Sequence, residues 1–109
     1  MTRDDFDKKF DYYSSKRESL GLTSVWSIYE VDSLDAPHPF GDEVEVAYVK
    51  GRDHWGDNTV AVKAGKTWAD LYVAADKCIR DSGDNHHIYI ENFIPSSINS
   101  KILFLTTGS

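Results

Sequence analysis

Residues 66–91, KTWADLYVAADKCIRDSGDNHHIYIE, constrain the fold more tightly than any other stretch of this chain. They spell out a capped helix, a glycine stop, a short polar turn and a strand. Thr67 suits a helix N-cap, because its hydroxyl oxygen can accept an N–H that the first turn leaves without a partner. Asp70 completes a capping box and places negative charge at the positive end of the helix dipole. Trp68, Leu71, Ala75, Cys78 and Ile79 recur at helical spacing as one apolar stripe. Lys77 and Arg80 fall in the last turns, and Gly83 suits the left-handed residue that ends a helix. These signals predict a helix over 67–82. Beyond it, Ile88 and Ile90 alternate with His87, Tyr89 and Glu91, which predicts a half-buried strand over 86–92.

The rest of the chain supplies layers for that unit. Residues 3–20 read as an amphipathic helix with Thr2 as cap, a stripe of Phe6, Phe10, Tyr13 and Leu20, and Gly21 as stop. Acids crowd its first turns, and Lys16 and Arg17 lie near its end. Residues 23–31, TSVWSIYEV, have apolar groups on both faces and read as an inner strand, or one partly covered on its second face. Residues 32–42 read as a loop, with His38 exposed between two prolines. Residues 43–50 and 58–64 alternate as a hairpin around the long connection GRDHWGDN. A polar loop follows over 92–100, and KILFLTT, 101–107, reads as an inner strand. The expected architecture is one α+β domain over 1–109, in the order α-β-β-β-α-β-β. Short connections predict a mostly antiparallel five-stranded sheet with two helices packed on one face.

Charge and composition narrow the function. The formal net charge of −6 disfavours a phosphate-backbone binder, which needs clustered Lys and Arg. The first five elements follow the order of a double-stranded-RNA-binding domain in topology alone. Such domains grip phosphate with lysines at the start of the second helix, whereas here Lys63 and Lys66 precede Trp68 and Asp70. No direct nucleic-acid contact is therefore expected. No apolar run reaches the roughly 18 residues of a membrane span, and no signal-peptide pattern is present. A single cysteine excludes an internal disulfide and suits a reducing, cytoplasmic setting. Cys78 lies on the apolar stripe and reads as a small core residue.

No pattern assigns a catalytic residue, a metal ligand or a cofactor. Asp84, His86, His87 and Glu91 have metal-ligand chemistry, but alternation along a strand lets at most two neighbours converge. A small metal-dependent enzyme using His86, His87 and Glu91 is the alternative that this cluster leaves open. The distinctive feature is acidic. Between positions 18 and 49 there is no Lys or Arg, while Asp32, Asp35, Asp42, Glu43 and Glu45 accumulate, with Asp53 and Asp57 beyond. Two aromatics, Phe40 and Trp55, are expected to project from this region, with Trp55 folded back over the sheet as the alternative. These nine residues are the expected partner-binding surface. Charge would steer encounter with a basic protein surface, and the aromatics would anchor it. A homodimer made by pairing an exposed strand edge, or a structural assembly role, is a further possibility.

Three C-terminal segments, WADLYVAADKCI, SGDNHHIYIENF and ILFLTTGS, resemble small accessory proteins of tailed phages and prophages. The resemblance implies a mobile-element accessory protein. Small acidic proteins of that origin often inhibit host defence or host enzymes by direct binding, as anti-CRISPR and anti-restriction proteins do, and the acidic middle of the chain fits that role. The resemblance carries no active-site residues across.

Overall fold

The computed structural model describes residues 3–28, 30–41, 43–49, 59–83 and 88–108. Its elements are α1 (Arg3–Leu20), β1 (Val25–Trp26), β2 (Val44–Val49), β3 (Thr59–Ala64), α2 (Trp68–Ser82), β4 (Tyr89–Pro95) and β5 (Ile102–Gly108). The α+β class and the element order are as expected. So are the ends of α2. The Thr67 hydroxyl accepts the Asp70 N–H at 3.2 Å, and the Asp70 carboxylate accepts the Thr67 N–H at 3.1 Å. Gly83 closes the helix at φ 76°, donating its N–H to the Arg80 carbonyl.

The sheet is mixed, which corrects the expectation of a mostly antiparallel one. Its order is β1-β4-β5-β2-β3. Two antiparallel hairpins, β2–β3 and β4–β5, are joined through a parallel β2–β5 pairing, with Val46 beside Leu103. β1 adds to β4, also in parallel. Short connections dictate antiparallel pairing only within a hairpin. They say nothing about how one hairpin docks on another, and here the docking is parallel.

β1 is a two-residue edge strand rather than a long inner one. Local side chains take the carbonyls that a longer ladder would use. The Trp26 indole N–H donates to the Ile28 carbonyl at 2.9 Å. The Tyr13 hydroxyl donates to the carbonyls of Ile28 and Val31. Tyr29 lies outside the described residues.

α1 also presents a different face from the expected stripe. Tyr13 is buried, but Phe10 and Leu20 are exposed. The Phe6 side chain lies outside the described residues. Lys9, Tyr12, Tyr13 and Lys16, again at helical spacing, face the chain that follows. The Tyr12 hydroxyl accepts the Leu34 N–H at 2.8 Å, and both lysines bond acids of the 32–35 segment.

The core lies between α2 and one sheet face. Leu71, Ala75, Cys78 and Ile79 pack with Val44, Val46, Ile90, Phe93, Leu103 and Leu105. Trp26 joins both helices to it. Its ring lies 5.2 Å from Tyr72, 6.1 Å from Trp68, 5.9 Å from Phe93 and 6.5 Å from Tyr13. Burial pushes the Tyr72 hydroxyl up to about 12, and it donates to the Ser24 carbonyl at 2.7 Å.

One acid is fully enclosed. Asp76 of α2 is 2% exposed, and its Oδ1 accepts the N–H groups of Thr23 and Ser24 and the Ser24 hydroxyl. Its Oδ2 pairs with Arg80 Nε at 2.6 Å. The Arg80 guanidinium also donates to the Gly21 carbonyl. Thus α2 holds the α1–β1 connection by its backbone. Among the described residues, no helix is long and apolar enough to cross a membrane.

Candidate functional site

The acidic segment is anchored by helix α2. The first N–H groups of a helix need external acceptors. Here the carbonyls of Leu34 and Ala36 accept the N–H groups of Ala69 and Trp68, at 2.7 and 3.1 Å. Pro37 bridges to Thr67, and the His38 N–H donates to the Lys66 carbonyl. These bonds fold the 34–38 segment onto the start of α2.

His38 is buried, not exposed as expected. Its Nε2 lies 2.6 Å from the Gly65 carbonyl and its Nδ1 accepts the Phe40 N–H, partners that assign the Nε2–H tautomer. The ring packs 5.7 Å from Phe40 and 6.2 Å from Trp68, and Phe40 meets Trp68 edge-on at 5.8 Å. Phe40 is therefore half-buried and fixed, rather than projecting.

This scaffold ends in a cleft. Glu43 and Glu45 of the β2 strand and its lead-in face Lys63 of β3 and Asn99 and Lys101 of the β4–β5 connection. Val44 and Ile102 add apolar lining, and the cleft encloses about 520 Å³. A shallower neighbour runs past Phe40 and Gly41, and the two share Glu43 and Lys101. Phe40, Glu43 and Glu45 thus converge at one end of the sheet. The cleft is charged in both senses. Lys101 Nζ lies 3.6 Å from Glu43, and Glu45 stands directly opposite Lys63 in the hairpin.

Asp32 and Asp35 do not line this cleft. Each is held by a lysine of α1, Asp32 by Lys9 at 3.0 Å and Asp35 by Lys16 at 2.7 Å. The hydrogen bond to Asp35 raises the Lys16 pKa. Asp42, Asp53, Trp55 and Asp57 lie outside the described residues, as do Asp84, His86 and His87 of the metal alternative. Glu91 is exposed on β4.

No known protein family, curated protein or solved structure matches this chain. The cleft offers carboxylates and ammonium groups around Val44 and Ile102, with the Phe40 ring in the neighbouring groove, which suits recognition of a polar, charged segment. Cys78 does not line it. The thiol is fully buried, donates to the Val46 carbonyl, and is pushed up to about 11 chiefly by burial. Among the described residues, no group of three or more His, Cys, Asp or Glu is placed to hold a metal ion.

The sequence reading missed Lys63, Asn99 and Lys101 as cleft residues. The register of the predicted hairpin was the available signal for Lys63, since it sets Lys63 across from Glu45. The reading also missed Asp76, an acid lying among Tyr72, Ala75 and Ile79 on the buried side of α2.

Proposed function

We propose that this chain is a small acidic binding protein that docks a basic segment of a partner protein in the cleft between Phe40, Glu43 and Glu45. The observation that carries this reading is the convergence of those three residues at one end of the sheet. The Glu43–Lys101 pair supports it further. Both side chains are mostly exposed, and an exposed pair contributes only about 0–1 kcal/mol. A partner arginine can displace Lys101 at little cost, and its planar fork makes a stronger, bidentate bond to the carboxylate. The fixed Phe40 ring supplies a surface on which a guanidinium can stack. Asp32 and Asp35, already bonded to α1 lysines, contribute field rather than contact.

The C-terminal resemblance to phage accessory proteins supplies the setting. In it the partner is a host defence or nucleic-acid enzyme, inhibited by occupation of its basic surface. The test is affinity capture from bacterial lysate with the tagged protein, beside the double variant Glu43→Lys/Glu45→Lys. One host protein is expected near stoichiometry with the native chain. Like charges placed across an interface cost several kcal/mol, so the variant should bind that protein roughly 100-fold more weakly or worse. Equal capture by a variant with unchanged circular dichroism would overturn the assignment.

A further inference from the structure

The outer edge of β3 carries a second interaction surface. The Glu45 N–H donates to the Lys101 carbonyl on the β5 side, so the backbone polar groups of Val44, Val46 and Tyr48 face β3. Their partners in the hairpin, Ala64, Val62 and Val60, face back towards β2. The N–H and C=O groups of Thr59, Ala61 and Lys63 consequently point away from the sheet, where no described strand pairs with them.

Edges of this kind are usually blunted by shortness, proline, bulges, charged side chains or a covering element. The opposite edge, β1, is two residues long. β3 has six residues, TVAVKA, with no proline, one charge and no register shift against β2. It is also close to a palindrome about Ala61. An antiparallel copy centred there pairs the most edge groups of any symmetric register. Ala61 meets Ala61 of the copy on the two-fold axis, and Thr59 meets Lys63, which keeps like charges apart. Val60 meets Val62 on the α2 side, where both valines are only half-buried in the single chain. On the opposite face Ala61 alone meets the copy, while the exposed Phe104 lies two strands behind it, next to Ala47.

We propose that β3 pairs antiparallel with β3 of a second copy, centred on Ala61, to form a ten-stranded sheet across a homodimer. A self-complementary edge identifies the occupant as this same chain. The surface uses neither Phe40 nor Glu43, though Lys63 belongs both to this edge and to the cleft lining.

Sedimentation equilibrium of the native chain across a wide concentration range tests it, together with Ala61→Pro, Ala61→Lys and Phe104→Lys. The native protein should show twice the 12.3 kDa chain mass. Ala61→Pro removes an N–H that the hairpin does not use, so it should give a folded monomer. Ala61→Lys places two cations on the axis and should do the same. Phe104→Lys should remain dimeric. Hydrogen exchange on the native chain reads the edge directly, with slow exchange at the Ala61 and Lys63 amides. A native monomer at millimolar concentration, fast exchange at those amides in a dimer, or a dimer that survives both Ala61 variants would each overturn the proposal.

Discussion

Replacing Asp76 with alanine is expected to destabilise the protein by about 2–4 kcal/mol, chiefly through the buried donors it strands, because its ion-pair partner Arg80 is half exposed and turns to water. The carboxylate is enclosed and satisfies four donors from Thr23 and Ser24 as well as the Arg80 guanidinium. Alanine leaves the Ser24 donors without an acceptor, and each such buried group costs about 1–3 kcal/mol. Asparagine keeps the shape and one acceptor oxygen but turns its amide N–H groups towards Arg80. Its cost should therefore fall between wild type and alanine. Urea unfolding followed by tryptophan fluorescence measures both. Since domains of this size are stable by roughly 5–15 kcal/mol, the alanine variant should lose a large share of its transition midpoint. A loss under about 1 kcal/mol would mean that Asp76 does not anchor the α1–β1 connection.

Trp26→Ala should cost about 3–5 kcal/mol for a different reason, a cavity in the packed core. The ring is 2% exposed and touches side chains from α1, α2 and β4. No single neighbour can collapse into the space it leaves. Its loss also removes the indole N–H that caps the Ile28 carbonyl. Because Tyr13 packs on Trp26, α1 should loosen before the sheet does. Limited proteolysis is expected to cut the variant first within 3–20, with 68–108 surviving longer. Trp26→Phe, which retains part of the ring contact, should cost clearly less. Equal stability of native protein and Trp26→Ala, or first cleavage within β4 or β5, would contradict this role.

What was legible in the sequence follows from where the deciding interactions lie. α2 was readable to its ends because Thr67, Asp70 and Gly83 act within one or two turns. The β2–β3 hairpin was readable because alternation sets its faces, and β5 because apolar residues on both faces mark an inner strand. The shortening of β1 was not, because it depends on Tyr13, a helix residue far away in sequence that takes the carbonyls of Ile28 and Val31. The parallel β2–β5 pairing joins strands separated by β3, α2 and β4, beyond the reach of any local signal. His38 looked exposed because its loop is rich in proline and acid. Its burial depends on an acceptor at Gly65 and a ring at Trp68. The acidic surface was legible as composition but not as geometry. Folding divides it, sending Asp32 and Asp35 to the lysines of α1 and Glu43 and Glu45 to the cleft.

The central claim concerns the place of contact, and site-specific photo-crosslinking in bacterial cells tests it most directly. A photoreactive phenylalanine analogue is placed at Phe40, in the groove that adjoins the cleft. In a second strain it replaces Tyr89, which pairs with Gly108 at the opposite end of β5 from Ile102. The account predicts one discrete adduct from position 40, reduced by Glu43→Lys/Glu45→Lys, and none from position 89. An adduct from position 89 alone, or the same adduct from 40 with the acids reversed, would contradict it.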